Sequence, residues 1–136
     1  MNDIVGLLDR PETIVAVVGA TDHPVKYGNI IYRDLRDKGI AVRAVNPYRD
    51  TVEGDRCWRA LADLPERPTI VNIVVPPART LGVLAECARL GLRTVWIQPG
   101  AADDEVRRYV VEQGFDAVVD ACIMVPPRPR FVGPTR

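Results

Sequence analysis

Five short runs of apolar residues recur along the chain, and longer segments with a helical pattern separate them. Each run is rich in β-branched residues and too short for a buried helix, which is typical of a strand buried on both faces. Glycine, proline or asparagine follows most of these runs and marks the turn that ends each strand. The predicted strands cover residues 14–18, 41–45, 70–75, 94–97 and 117–119.

Between these runs, apolar residues return every third or fourth position, which is typical of an amphipathic helix. In the first such segment, 27–38, the predicted inner face consists of Tyr27, Ile30, Ile31 and Leu35. Thr80 is suited to cap a second helix over 80–90, and acidic residues at 103–105 favour the start of a third, because a helix N-terminus attracts negative charge. That third helix is expected to reach residue 113.

The strands and helices alternate, which predicts parallel strands joined by right-handed crossovers with helices on both faces of the sheet. The expected fold is therefore α/β, with a doubly wound parallel sheet of five strands. Residues 48–68 are less regular, with a turn at Glu53-Gly54 and a short helix at 58–64. The chain divides into a short helical extension over 1–13, one domain over 14–125 and a tail rich in proline and arginine over 126–136.

Charge and cysteine content exclude several classes of protein. Eighteen basic and 18 acidic residues give a net charge of zero, which argues against a nucleic-acid or acidic-membrane binder. No apolar stretch is long enough to span a bilayer. The cysteines Cys57, Cys87 and Cys122 are odd in number and widely spaced, which argues against a zinc site or a disulfide framework. Reduced thiols and an N-terminus unlike a signal peptide predict a cytoplasmic location.

In a sheet of this kind, ligands bind outside the carboxyl ends of the strands. After the first strand, Gly19-Ala20-Thr21 begins a polar loop, and Lys26-Tyr27-Gly28 opens the next helix. Free amides at a helix start hold a diphosphate well, Thr21 adds a hydroxyl and Lys26 a positive charge. The loop departs from the G-x-G-x-x-G pattern because Thr21 replaces the second glycine, and it is not a Walker loop. The alternative is that the glycines serve only the geometry of the turn.

The end of the second strand bears on the kind of nucleotide. An NAD site uses an acidic residue there to hold the ribose diol, whereas this chain has Asn46-Pro47-Tyr48-Arg49. Arg49, or Lys26, is available to face an additional phosphate on the ribose. The pattern therefore favours coenzyme A (CoA) or NADP over NAD, unless Asn46-Pro47 is a simple turn and Arg49 is solvated.

Five segments in the same order resemble the small stand-alone CoA-binding proteins, which are similar to the nucleotide-binding domain of the succinyl-CoA synthetase alpha subunit. They are Val17-Val18-Gly19-Ala20-Thr21, Lys26-x-Gly28, Val45-Asn46-Pro47, Trp96-Ile97-Gln98-x-Gly100 and Val119-Asp120-x-Cys122. The resemblance covers residues 14–125 and implies a Rossmann-like fold that binds CoA at the carboxyl edge of the sheet.

Carried over by position, the resemblance implies a set of CoA-binding residues. The diphosphate would meet Gly19, Ala20, Thr21 and Lys26, and the adenosine would lie beside Val45, Asn46 and Pro47. The middle of the ligand would be walled by Val75, Pro76 and Pro77, and the pantetheine arm would pass Gln98, Pro99 and Gly100. The last motif of the family departs here, because Ala121 stands in place of an arginine and Pro126 stands near the position of a glutamate.

The sequence offers no recognisable catalytic group. His23 is the only histidine and is expected to be an exposed loop residue or a neutral donor near a phosphate. Cys122 either forms a mixed disulfide with the CoA thiol or packs as a small apolar residue. Asp120 is expected to cap the turn that follows it, the alternative being that it orients a neighbouring group. Trp96 is expected to belong to the core rather than to form a stacking platform. The related synthetases depend on a phosphorylated histidine in a separate ligase domain, so ligase activity is not expected of this chain alone.

The sequence therefore predicts non-catalytic binding of CoA or acyl-CoA through a phosphate-binding loop. The alternatives are an NADP-linked oxidoreductase and a ligand-free interaction scaffold. No nucleic acid or membrane is expected as a partner, and both a homo-oligomer and an enzyme partner stay open.

Overall fold

In the computed structural model, residues 3–126 are described, and they form a sheet of seven strands with four α-helices. The strand order is β3-β4-β2-β1-β5-β6-β7, and only β3 and β4 pair antiparallel. The strands are β1 Ile14–Val18, β2 Ala41–Val45, β3 Thr51–Val52, β4 Asp55–Trp58, β5 Ile70–Ile73, β6 Thr94–Ile97 and β7 Asp116–Val119. The helices are α1 Ile4–Leu7, α2 Tyr27–Asp37, α3 Pro77–Leu90 and α4 Asp104–Gln113, with a 3₁₀ turn at Leu61–Asp63.

The sheet separates two buried apolar clusters, as the alternation of side chains along β1 requires. Val15 and Val17 face the cluster that contains the inner residues of α2, namely Ile31, Tyr32 and Leu35. Ala16 and Val18 face the opposite cluster, which α3 and α4 cover with Leu84, Cys87, Val106 and Val110. The α/β class and the predicted helices on both faces are therefore observed.

The prediction of five strands was wrong, because a hairpin extends the sheet beyond β2. The five apolar runs all form strands, but β4 adds to the edge of β2 in parallel, with Val45 opposite Trp58, and β3 folds back on β4. The hairpin escaped detection since its strands have two and four residues and carry Asp55 and Arg56. Trp58 consequently lies in a strand, and the predicted helix over 58–64 is reduced to the 3₁₀ turn. Glu53-Gly54 forms the turn of the hairpin, where a turn was predicted.

Two helices differ in detail from the prediction. α3 starts at Pro77 and not at Thr80, because proline is tolerated at the first position of a helix, where no amide hydrogen bond is lost. Thr80 instead lies buried in the first turn, and its hydroxyl donates to the carbonyl of Ala101 at 2.7 Å. In α2, the prediction that Tyr27 faces the core was wrong, since 65% of this residue is exposed. Asp103 does cap α4, by accepting from the amide of Val106 at 2.9 Å.

The chain after β7 crosses the same face of the sheet as α2. The indole nitrogen of Trp96 donates to the carbonyl of Ala121 at 2.7 Å, and Ile123 is buried in the core cluster. The ammonium group of Lys38, just after α2, donates to the carbonyl of Met124 at 2.8 Å. Residues 120–126 thus cover part of the sheet. The predicted tail over 126–136 lies outside the described residues from position 127 onward.

β1 lies at the point where the chain changes direction across the sheet. The chain proceeds from β1 to β2 on one side and later returns to β5 on the other. The amide of Gly19 donates to Val45 at 2.9 Å and the amide of Val74 donates to Val18 at 3.0 Å, so the three strand ends are tied together. Loops that leave such a point in opposite directions open a crevice between them. Across residues 3–126, no helix is long and apolar enough to cross a membrane.

Candidate functional site

A cleft of about 530 Å³ opens above the carboxyl ends of β1, β2 and β5. Its size is in the range of about 300–1,000 Å³ that small-molecule sites usually have. The predicted site residues that line it are Gly19, Thr21, Lys26, Tyr27, Gly28, Asn46, Arg49, Val75 and Pro76. The topology of the sheet, rather than any single motif, brings these residues together.

Five further residues line the cleft and stand outside the predicted set of CoA-binding residues, although a donor near a phosphate was one of the two roles expected of His23. His23 is one of them, and its amide donates to the Thr21 hydroxyl at 3.3 Å. Val25 and Tyr48 are 85% and 80% exposed at the rim of the cleft. Val74 and Arg79 complete the set, and Arg79 lies 5.7 Å from the centre of the Tyr48 ring. Arg79 is on α3, and only the earlier start of that helix reveals that its first turn reaches the cleft.

Two glycines allow α2 to begin close to the end of β1. Gly19 has a φ of +104°, and a Cβ there would lie 2.7 Å from the carbonyl oxygen of Val74. A Cβ on Gly28 would lie 2.1 Å from the carbonyl oxygen of Gly19. Both glycines are thus required by contacts between backbones, whatever the cleft binds. Their joint effect is to place the first turn of α2 at the wall of the cleft.

The start of α2 differs from that of α4 in lacking a side-chain cap. Lys26 occupies the N-cap position with an extended backbone, and no side chain of the described residues accepts from the first turn. The amides of Tyr27 and Gly28 therefore lie at the cleft without a capping side chain, unlike the first turn of α4 under Asp103. An uncapped helix start carries partial positive charge and free N–H groups, which suit an anion.

Asn46 connects the loops that follow β1 and β2. Its side-chain amide donates to the carbonyl of Ala20 at 2.8 Å, and its side-chain oxygen accepts from the amide of Tyr48 at 2.9 Å. Three cationic side chains, those of Lys26, Arg49 and Arg79, line the same cleft. None of the described residues that line it is acidic, although Asp22 outside the lining pairs with Arg49 at 3.2 Å. The wall of the cleft therefore carries an excess of positive charge in a chain of zero net charge.

The other predicted site residues do not line this cleft. Ala20 and Val45 are buried beneath it, and the carbonyl of Pro47 accepts from Arg59 at 3.0 Å. Pro77 begins α3. The side chain of Gln98 is buried and donates to Asn72 at 2.6 Å, while Pro99 and Gly100 are exposed after β6. Since Gln98 points into the core, its side chain is not available to a ligand in the cleft.

Other residues considered for chemistry have structural surroundings. Trp96 is fully buried, as predicted, and burial raises the pKa of the Cys87 thiol to about 12. Cys122 is half-buried after β7, and the three cysteines are free thiols. Asp120 does not cap the turn that follows it, as one of its two predicted roles required, but accepts from the neighbouring Arg107 of α4. Within residues 3–126, no group of three or more potential metal-binding side chains occurs.

Known proteins resemble this chain in sequence over most of its length. The Bacillus subtilis protein YneT is 28% identical over 123 residues, which are 90% of each chain. The ADP-forming acetate–CoA ligase of Methanocaldococcus jannaschii is 31% identical over 98 residues. That match covers 72% of this chain but only 14% of the ligase, so this chain corresponds to a small part of that enzyme.

Solved structures share the same architecture. A conserved hypothetical protein from Pyrococcus furiosus is 41% identical, with a TM-score of 0.77 over 82% of this chain and 96% of its own. Acetyl-coenzyme A synthetase 1 of Ca. Korarchaeum cryptofilum is 27% identical, with a TM-score of 0.72 over 88% of this chain and 28% of its own. The family described as "CoA binding domain" matches residues 13–126. The chain therefore belongs to the CoA-binding domain family.

Proposed function

We propose that this chain binds CoA or acyl-CoA in the cleft above β1, β2 and β5, and that it does so without catalysing a reaction on the ligand. The observation that carries the proposal is the uncapped start of α2 beside Lys26, at the wall of an open cleft. Its place at the change of strand direction is where a Rossmann-like sheet holds a nucleotide. Membership of the CoA-binding domain family selects CoA among nucleotides.

The diphosphate of CoA is proposed to bind at the first turn of α2. The amides of Tyr27 and Gly28 supply hydrogen-bond donors there, and the Thr21 hydroxyl and the Lys26 ammonium group line the same part of the cleft. The helix dipole adds a favourable interaction with negative charge at this end. Several fixed hydrogen-bond donors around one anion give directional binding that a single surface lysine does not.

The adenosine end is proposed to lie toward the loop after β2. Arg49 lines the cleft there, and no acidic residue stands directly after the strand to accept from a ribose diol. An arginine suits a phosphate on the ribose because its planar guanidinium matches phosphate geometry. Val74, Val75 and Pro76 form the wall along which the middle of the ligand would run. The predicted path of the pantetheine arm past residues 98–100 stays a prediction. The side chain of Gln98 is buried and would not contact the arm.

The lining of the cleft supports binding rather than catalysis. His23 is the only histidine, and no described residue of the lining is a carboxylate or a cysteine that would complete an acid–base or nucleophilic pair with it. The matched ligase is much longer than the matched segment, so its reaction is not proposed for this chain. An enzyme that uses the bound CoA is proposed as a partner, and a cytoplasmic location stays a prediction.

Calorimetric titration of the purified chain with CoA, acetyl-CoA, NADPH and NADH tests the proposal. We expect heat with CoA and acetyl-CoA, and no release of free thiol when acetyl-CoA is incubated with the protein. Heat with NADPH alone would overturn CoA binding in favour of an oxidoreductase. A protein whose unfolding temperature responds to none of the four would favour the ligand-free scaffold.

A further inference from the structure

The turn of the β3–β4 hairpin is held against the loop that follows β1. Glu53 has a φ of +51°, a conformation that residues other than glycine seldom adopt, and its amide donates to a carboxylate oxygen of Asp22 at 2.7 Å. The Glu53 carboxylate accepts from the side chain of Asn29 at 2.9 Å, and its carbonyl accepts from Arg36 at 3.1 Å. Three separate hydrogen bonds thus fix the turn, and through it they fix Asp22.

Asp22 also contacts a residue of the cleft. Its second carboxylate oxygen lies 3.2 Å from Nη1 of Arg49, whose side chain is 30% exposed. An arginine has five N–H donors, so a single contact of this kind leaves the others available. The oxygen that contacts Arg49 is therefore part of a carboxylate whose other oxygen is already anchored by the hairpin. A fixed carboxylate restricts the guanidinium without covering it.

We propose that Asp22, anchored by the hairpin turn, is a positioning residue that aims Arg49 at the ribose 3′-phosphate of CoA. The proposal rests on CoA binding in the cleft, and it names the part of the ligand that Arg49 recognises. It also explains why a short polar hairpin follows β2 at the edge of the sheet. A guanidinium held in one orientation loses less side-chain entropy when it binds a phosphate.

The sign of one substitution separates positioning from simple electrostatics. Asp22→Asn removes a negative charge near a polyanionic ligand, and by charge alone it would strengthen the binding of CoA. Positioning predicts the opposite for CoA, because Arg49 loses its charged anchor. The asparagine oxygen can still accept from the amide of Glu53, so the hairpin contact is retained while the ion pair is lost.

The experiment compares the dissociation constants of CoA and 3′-dephospho-CoA by calorimetry. For Asp22→Asn we expect the affinity for CoA to fall about fivefold, while the affinity for 3′-dephospho-CoA stays the same or rises. The matched control is Asp50→Asn, which makes the same charge change at a surface pair with Arg59, 2.7 Å away. In this control the ratio of the two affinities should not change.

Arg49 itself supplies the second variant, which also serves if Asp22→Asn proves unstable in thermal unfolding. Arg49→Lys keeps the charge but loses the planar fork, so we expect the same loss of discrimination between the two ligands. In the Arg49→Lys background, Asp22→Asn should weaken CoA binding no further. An unchanged or increased preference for CoA in either single variant would overturn the positioning role alone. A wild-type protein that binds no CoA would overturn the proposed function, and this inference with it.

Discussion

Gly28 packs directly on the carbonyl group of Gly19, so that a Cβ on Gly28 would lie 2.1 Å from the Gly19 oxygen. This distance is far inside van der Waals contact, and the atom that it meets belongs to the backbone at the end of β1. A side chain on Gly28 therefore forces α2 away from the strand. Because the first turn of α2 also forms a wall of the cleft, this contact links the stability of the fold to the geometry of the proposed site.

Gly28→Ala should accordingly destabilise the protein and weaken binding together. We expect a loss of about 2–3 kcal/mol in the free energy of unfolding, because the backbone has to shift to accept one methyl group. Urea denaturation followed by circular dichroism measures this loss, and calorimetry with CoA measures the change in affinity.

Gly82→Ala is the matched control for that substitution. Gly82 lies inside α3, is exposed and has no atom within 4 Å of an added Cβ. Alanine is the better helix former by about 1 kcal/mol, so this variant should be slightly more stable than the wild type. An equal change in the free energy of unfolding in the two variants would show that the contact between Gly28 and Gly19 does not constrain the fold.

Lys26→Ala should weaken CoA binding by about 1–2 kcal/mol, because a charge-assisted contact with the diphosphate is lost. Lys26 is exposed at the cleft, and the unfolding temperature should change little. The chain contains one other lysine, Lys38, which follows the last residue of α2 and pairs with Asp34 of that helix. Lys38→Ala makes the same change in net charge away from the cleft, so its affinity for CoA should match that of the wild type. Unchanged affinity in Lys26→Ala would remove Lys26 from the site.

Asn46→Asp tests the connection between the two loops at the cleft. The aspartate can still accept from the amide of Tyr48, but it has no hydrogen to donate to the carbonyl of Ala20. We expect a loss of about 1–2 kcal/mol in stability at neutral pH, and weaker CoA binding because a carboxylate enters a cleft suited to phosphates. A denaturation curve that coincides with that of the wild type would show that the hydrogen bond to Ala20 adds nothing.

Cys87 predicts a dependence of stability on alkaline pH. Burial raises the pKa of its thiol from the usual value of 9.0 to about 12, with a smaller contribution from the nearby Glu86 carboxylate. The unfolded chain loses this proton above about pH 9 while the folded chain keeps it. The free energy of unfolding that depends on the Cys87 proton is therefore fully present below pH 9. It is lost as the pH rises toward 12, by about 1.4 kcal/mol per pH unit.

Urea denaturation at several values between about pH 8 and pH 10 measures that slope. Cys87→Ala should lose less stability over this range than the wild type does. The comparison is Cys122→Ala, which removes a half-buried thiol, and the slope of Cys87→Ala should be the shallower of the two. The buried Tyr32, whose pKa burial and a hydrogen bond to Asp55 also raise, is present in all three proteins and does not affect the comparison. Parallel slopes for all three would contradict the protonated state of buried Cys87.

The sequence predicted the parts of the fold that depend on apolar runs. β1, β2, β5, β6 and β7 lie within one or two residues of their predicted positions, because strands buried on both faces need continuous apolar residues. The hairpin β3–β4 was missed because no apolar pattern marks its strands. Contacts distant in sequence, from Asp22 and Arg36 to Glu53, stabilise it instead. Such contacts leave no periodic signal in the chain.

Only part of the candidate site was predicted, because several of its features also depend on contacts distant in sequence. Gly19, Thr21 and Lys26 follow directly from the loop after β1, and they do line the cleft. Arg79 was missed because the helix was predicted to start at Thr80, whereas it begins at Pro77 and includes Arg79 in its first turn. Gln98 was predicted beside the pantetheine arm, and that role stays a prediction. Its side-chain amide donates to the side-chain oxygen of buried Asn72, a partner 26 residues earlier that the sequence alone does not reveal.

The segment that crosses the sheet after β7 also affects how the protein can be shortened or fused. Ala121 and Ile123 complete the covering of Trp96, and the link from Lys38 to Met124 secures the end of α2. A truncation at the last residue of β7 would expose the indole ring of Trp96 and the apolar residues beside it to water, and would favour aggregation. Affinity tags and fluorescent fusions are therefore better joined after residue 126 than directly after β7.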